Sequence, residues 1–280
     1  MIHIISDSST LYSVDQGKAK GIFIVPLNIT VEDKSYRDFE DITSTQLLTM
    51  IEQHKIPRTS QPSLGEKIDL YNQLSQDGEV IDITMASGLS GTYQTAMMAK
   101  ESCENPENVH VIDSQTLCGP HRLMVETALE MAKSGSSAKE IAKMVVASRM
   151  QEISFLVPVD FQFLVRGGRI RGMAATLGGA LKLIPILKKG EKGVGLDKFG
   201  VSRTYKKAVN MIVEDLKKEG VDSEYTFYIT HAFNEELALL FEKKIKENFV
   251  QAKVRMYPLS PSFITQGGPG CVAVQAIKMA

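Results

Sequence analysis

The alternation of short apolar runs with segments of helical periodicity most constrains what this chain can fold into. Met1–Ile5 and Gly21–Val31 read as strands, with Pro26 bending the second or setting it at a sheet edge. Thr43 opens a helix with Gln46 completing a capping box, and Leu47, Met50, Ile51 and His54 follow at helical spacing. The stretch PRTSQP at 57–62 reads as a loop stiffened by Pro57 and Pro62. Ser63 with Glu66 opens the next helix and Gly78 stops it. Val80–Met85 and Val109–Ile112 are strands, Thr92–Cys103 and Arg122–Lys133 are helices, and Ser137 with Glu140 caps one more. Strand and helix taking turns predict an α/β fold, a mostly parallel sheet with helices on both faces.

The texture changes near residue 155. Phe155–Val165 is apolar and aromatic, Arg166–Arg171 carries three arginines among glycines, and Met173–Ile184 is apolar and rich in Ala and Gly. A strand pair across a Gly-rich turn (184–197) follows, then a helix near Tyr205–Glu219, a strand at Tyr225–Thr230, a helix at Glu235–Phe249 and a strand at Ala252–Pro258. A chain of 280 residues accommodates two domains at roughly 150 residues each. The expected division is 1–157 and 158–280, the second a smaller α/β unit.

Composition removes several function classes. A net charge of −1 supplies no field for a polyanion, so nucleic acid is not an expected partner. The opening MIHIISDSST lacks the basic and apolar regions of a signal peptide, and no stretch approaches the ~20 apolar residues of a membrane span. Three widely spaced cysteines fit neither a disulfide framework nor a zinc site. Together these predict a cytoplasmic protein.

The chemistry-bearing segments cluster at strand-to-helix junctions. Ser87-Gly88-Leu89-Ser90-Gly91-Thr92 follows a strand and precedes a helix, where free amides and the helix dipole favour an anion and the hydroxyls add donors. Thr59-Ser60-Gln61-Pro62-Ser63 is a second hydroxyl cluster before a helix. Asp7 ends the first strand among serines without a second carboxylate for a metal. The dinucleotide and P-loop fingerprints are absent. A nucleophile elbow around Ser90 needs glycine at position 92, where Thr92 stands, and His231 is the best-placed base for that alternative, a serine acyl hydrolase.

Taken in order, Ser6-Asp7-Ser8-Ser9, Thr59–Ser63, Ser87–Gln94, Val111–Ser114, Leu164–Ile170 and Gly268-Pro269-Gly270 carry a resemblance over essentially the whole chain. The chain resembles the DegV family, whose members include the fatty-acid-binding subunits of bacterial fatty-acid kinase. The resemblance implies two α/β domains enclosing a long-chain fatty acid, with no cofactor or metal and no catalytic residue. It implies that Thr59, Ser60 and the run Ser87, Gly88, Leu89 and Ser90 hold the carboxylate. It also implies that Arg166 and Arg169 face an ATP-dependent kinase subunit, which makes an acyl-phosphate for phospholipid synthesis. Transient contact with a membrane surface fits such a role. One position departs from the pattern: two residues before Gly-Pro-Gly the family often has histidine, and here Gln266 stands beside the expected head group. Gln266 donates a hydrogen bond but carries no charge.

The physics of an acyl ligand agrees. Burial at about 0.8 kcal/mol per methylene offers a dozen methylenes roughly 10 kcal/mol before costs. Met173–Ile184, with its Ala and Gly residues, and Phe155, Phe161, Phe163 and Phe263 are the expected tunnel walls. The carboxylate must keep hydrogen bonds on burial, and hydroxyls with helix-start amides supply them without a fixed cation.

Overall fold

The computed structural model describes residues 1–170 and 183–280. Strand β1 (Ile2–Asp7) leads through a 3-10 turn to helix α1 (Val14–Lys20) and strand β2 (Ile22–Val25). A hairpin, β3 (Asn28–Val31) and β4 (Lys34–Arg37), precedes α2 (Ser44–Glu52) and β5 (Pro57–Ser60). Then come α3 (Leu64–Leu74), β6 (Glu79–Thr84), α4 (Thr92–Ser102), β7 (Val109–Asp113), α5 (Cys118–Lys133) and α6 (Ala138–Ser148).

Four of these strands form a parallel sheet in the order β2-β1-β6-β7. Its strands read as near-continuous apolar runs because both faces are covered, as parallel sheets require. Ile4, Ile81 and Ile83 pack under Met124, Val125 and Ala128 of α5 and Ile141 and Val145 of α6. Ile5, Val80 and Val109 face Tyr71 and Leu74 of α3 and Ala99 of α4 on the other side. The capping boxes at Thr43–Gln46 and Ser137–Glu140 form in full. At Ser63 only the hydroxyl half forms, because the Glu66 carboxylate pairs instead with Arg37 at 2.7 Å.

The single strand expected over Gly21–Val31 is two. Pro26 falls between β2 in the parallel sheet and β3 in a separate antiparallel sheet ordered β4-β3-β5. The expected loop at 57–62 begins as β5, whose Thr59 and Ser60 pair with Ile29 and Asn28.

The remainder comprises β8 (Glu152–Val157), α7 (Gln162–Gly167), β9 (Ile184–Lys189), β10 (Leu196–Ser202), α8 (Tyr205–Lys218), β11 (Thr226–His231), α9 (Glu235–Asn248), β12 (Lys253–Pro258), α10 (Pro261–Gly267) and β13 (Val272–Ile277). The second sheet runs β10-β9-β8-β13-β11-β12, antiparallel except for the β11–β12 pair. Strand β8 lies in this sheet, so the change of sheet falls before Glu152 and not at Val157. Helices α8 and α9 cover one face, burying Ile212, Leu216, Phe241 and Ile245 against Phe227, Ile229 and Val274. The other face turns toward α5, where a Cβ on Gly119 would sit 2.0 Å from the Tyr228 ring, so α5 packs as closely as a glycine permits. The Met173–Ile184 run lies outside the described residues except for its end, where Ile184 opens β9.

Asp38 ties the two sheets' loops together. It is fully buried, accepts from Ser8 Oγ at 2.8 Å and from the Ser262 N–H at 3.1 Å, and burial raises its carboxyl from 3.8 to about 6. The folded state therefore binds this proton more tightly than the unfolded chain does. The Asp38 contribution is complete below the unfolded value and is lost as pH rises through about 6. Urea unfolding should show stability rising by up to about 3 kcal/mol from this group between neutral pH and pH ~4. Asp38→Asn should flatten that slope, and an identical slope in wild type and variant would remove Asp38 as its source.

Candidate functional site

A cavity open to solvent at one side lies where the three sheets meet. Its walls are mainly apolar: Leu27, Met85, Leu117, Leu156, Leu164, Leu259 and Phe263 contribute, with Cys118 and Cys271. Burial pushes the Cys271 thiol up to about 12 and raises Cys118 as well, so both behave as neutral apolar groups. Phe155 borders the cavity, but its ring packs with the helix-covered core, edge-on to Phe199 at 5.1 Å. Phe161 and Phe163 do not line it; a Cβ on Gly268 would meet Phe163 at 2.7 Å.

One rim gathers a group of polar residues. Thr59, Ser60 and Gln61 at the end of β5 stand with Leu89, Ser90 and Gly91 before α4, and with Gln266 of α10. Gln266 Nε2 donates to Thr59 Oγ1 at 2.8 Å. With its oxygen accepting there, the Thr59 hydroxyl has its proton left to donate. Ser90 Oγ lies 2.8 Å from Thr92 Oγ1 and accepts from the Thr92 N–H at 3.3 Å. The N-cap residue of α4, Gly91, lines the cavity and has no side chain to cap the helix, so beyond the Thr92 N–H that Ser90 takes, the first-turn amides are left for a ligand. The rim is thus a set of neutral donors around a mouth, as an anion requires.

Two expected head-group residues serve the loop instead. Ser87 donates from Oγ to Asp113 Oδ2 at 2.7 Å and from its amide to Asp113 Oδ1 at 3.1 Å, and it does not line the cavity. Gly88 packs against the backbone of 193–194, where an added Cβ would lie 2.5 Å from Val194 Cα. These two hold the turn so that Leu89 and Ser90 reach the mouth.

The arginines separate. Arg166 is exposed, its guanidinium 4.5 Å from the Phe163 ring centre. Arg169, expected to face a partner, turns inward: half-buried, it lines the cavity and donates from Nε to Leu89 O at 3.1 Å and from Nη1 to Gly167 O. Burial lowers its pKa from the ordinary value.

A buried polar chain along the second sheet completes the wall. Lys189 Nζ pairs with Glu152 and donates to Gln115 O at 3.1 Å, and Ser154 Oγ donates to Glu152. Gln275 Nε2 donates to Ser154 Oγ at 2.8 Å and to Leu117 O at 3.1 Å. Burial pushes the Lys189 ammonium down to about 8. Ser154, Lys189 and Gln275 all line the cavity.

Ser90 has no histidine partner. His231 Nδ1 accepts from the Asn234 N–H at 3.3 Å. The serine–histidine contacts among the described residues are elsewhere, Ser9 Oγ to His121 Nδ1 at 2.6 Å and Ser6 Oγ to His121 Nε2 at 3.1 Å, with all three residues sealed in the interior. His121 Nε2 sits 3.0 Å from Ile83 O, and burial lowers its pKa. Asp7 organises its own turn, accepting from the amides of Ser9 and Met85 at 2.9 Å each. Among the described residues no group of three or more His, Cys, Asp or Glu side chains is arranged to hold a metal. No helix there is long and apolar enough to cross a membrane.

The comparisons agree with this architecture. The chain is 30 % identical over 279 residues to a DegV domain-containing protein of Staphylococcus aureus (strain N315), covering 98 % of each. A DegV domain-containing protein of Caldanaerobacter subterraneus is also 30 % identical, over 277 residues covering 98 % of this chain and 97 % of that one. The fold superposes on a fatty-acid-binding DegV family protein from Thermus thermophilus with a TM-score of 0.90, at 26 % identity and 99 % coverage of each chain. DegV of Bacillus subtilis, described as a fatty acid binding protein, matches at a TM-score of 0.85, again at 26 % identity and 99 % coverage. The DegV family model spans residues 1–279, and the chain belongs to the DegV family.

Proposed function

We propose that this protein is a non-catalytic carrier that binds a long-chain fatty acid and presents its carboxylate to a separate ATP-dependent kinase. The carrying observation is an apolar cavity between sheets, with neutral donors gathered at its mouth. The acyl chain takes the apolar walls. The carboxylate takes Thr59, Ser60, Ser90 and the first amides of α4, with Arg169 behind them. Donors without a fixed ion pair leave a carboxylate oxygen nucleophilic enough to attack the γ-phosphorus of the kinase's ATP, with the bond to the β,γ-bridging oxygen breaking and ADP leaving. Acyl-phosphate formed this way would feed exogenous fatty acid into phospholipid synthesis in the cytoplasm, with transient contact at a membrane surface. The solved DegV relatives described as fatty-acid-binding support the ligand; the kinase step rests on the family resemblance and on the open mouth.

Solvent extraction of the purified protein followed by mass spectrometry should yield about one fatty acid per chain. A protein that neither carries a fatty acid nor takes one up on loading would sink the reading. The arginines divide the next test. Arg166→Ala should keep the ligand and lose acyl-phosphate formation with the kinase, read as hydroxamate. Arg169→Ala should lose ligand affinity by about tenfold, because the tie to Leu89 O that holds the Ser90 loop at the mouth is cut. Equal behaviour of the two variants would contradict the inward and outward placements.

A further inference from the structure

Four side chains that line the cavity carry buried polar atoms with no hydrogen-bond partner among the described residues: Ser262 and Gln266 on α10, and Thr230 and Gln275 on the second sheet. Thr230 on β11 and Gln275 on β13 are 0 % and 1 % exposed, and both line the cavity. Thr230 Oγ1 and Gln275 Oε1 have no hydrogen-bond partner among the described residues. Strand register sets them on one face. Thr230 lies opposite Ala273 and Tyr228 opposite Gln275, so Thr230 and Gln275 are diagonal neighbours two positions out of step. Such a pair sits roughly 7–8 Å apart along the diagonal, within reach of one bridging group. The alternate residues, Ile229 and Val274, point to the opposite core under α8 and α9.

The donor count at each group is specific. Gln275 spends its amide hydrogens on Ser154 Oγ and Leu117 O, which fixes the side chain and leaves only its carbonyl oxygen, an acceptor. The Thr230 hydroxyl has both its proton and its lone pairs unspent. A polymethylene chain satisfies neither group, and a buried polar atom left without a partner is unfavourable. A ketone oxygen would use Thr230 alone. A secondary alcohol matches both, its O–H donating to Gln275 Oε1 and its oxygen accepting from Thr230.

We propose that the cavity is built for an acyl chain carrying a hydroxyl along its length, a hydroxy fatty acid, held at that hydroxyl by Thr230 and Gln275. This rests on the fatty-acid carrier reading and specifies its substrate class. The two groups lie on central strands of the second sheet, whereas Thr59 and Ser90 belong to the elements of the mouth. The hydroxyl is therefore one borne well along the chain from the carboxyl group.

Titration calorimetry on the delipidated full chain tests it. The probes are octadecanoic acid and a set of eighteen-carbon acids, each with one hydroxyl at a successive mid-chain position. One positional isomer should bind at least about tenfold more tightly than the plain acid. Thr230→Val should lower the affinity for that isomer by about tenfold and tighten the plain acid several-fold. If the plain acid binds and no hydroxy isomer exceeds it, the proposal is overturned and the carrier reading stands. If neither class binds, the carrier reading falls and takes the proposal with it. Should Thr230→Val fail to fold, the positional series on the wild-type protein decides alone.

Discussion

Thr59→Val is expected to weaken fatty-acid binding by roughly 10- to 100-fold while leaving the fold intact. The Thr59 hydroxyl accepts from Gln266 Nε2 at 2.8 Å, which commits its oxygen and frees its proton for an incoming carboxylate. Valine has the same shape and no hydroxyl. It leaves the Gln266 donor without its acceptor and the carboxylate short of one hydrogen bond. Hydrogen bonds to charged groups contribute about 1.5–3 kcal/mol, hence the expected range. Thr59 is only half-buried at the end of an edge strand, so stability should change little. Gln266 positions Thr59 without a titrating group, whereas the histidine often found at this place would change charge around neutral pH. Calorimetry with octadecanoic acid reads the effect, and an unchanged affinity would take Thr59 out of the head-group site.

The parallel sheet was legible because its strands are continuous apolar runs between capped helices. What escaped lacked a local signal. Helix α1 has no apolar stripe: only Gly17 is buried, and it is buried because a Cβ there would meet Ile24 at 2.4 Å. Strand β5 is four residues long and largely polar; it exists because β3 offers it a register. Strand β13 sits near the centre of the second sheet, yet Gln275 interrupts its apolar run after a glycine-rich stretch that reads as loop. In each case a tertiary partner, not propensity, decides the conformation.

The site was legible where the donors lie on one loop and hidden where they are assembled across strands. Thr59, Ser60, Leu89 and Ser90 do reach the cavity. Ser87 and Gly88 share their segment but face Asp113 and the 193–194 backbone, and a motif cannot say which hydroxyl of a turn faces inward. Arg169 reads as a surface charge until Leu89 O, eighty positions away, is brought beside it. The Lys189–Glu152–Ser154–Gln275 chain joins β8, β9 and β13 and leaves no trace in spacing along the sequence. The apolar run after Arg171, the expected tunnel wall, lies outside the described residues.

Gly88→Ala is expected to destabilise the protein by about 3 kcal/mol and to abolish high-affinity fatty-acid binding. A Cβ at position 88 would lie 2.5 Å from Val194 Cα, 2.6 Å from Gly193 O and 3.0 Å from Val194 N. All three are backbone atoms, so no side-chain rotation relieves the contact. Gly193 is itself packed closely on Gln115, where a Cβ would sit 2.6 Å from Gln115 O, so its retreat is costly. Either the 190–195 turn shifts, pulling on Lys189 and its pairing with Glu152, or the 87–91 turn shifts and moves Ser90 away from the mouth. Both movements damage the cavity, so binding should fall further than stability alone implies. Gly65→Ala supplies the contrast. It lies in the first turn of α3, where a Cβ would meet nothing closer than Ser63 Oγ at 3.9 Å. Alanine there should be neutral or stabilising by up to about 1 kcal/mol. Urea unfolding and ligand titration on both variants compare the two sites. Close packing at Gly88 predicts a large loss in both measurements for that variant alone, and a Gly88→Ala protein behaving like Gly65→Ala would show that the turn against 193–194 does not hold the head-group loop in place.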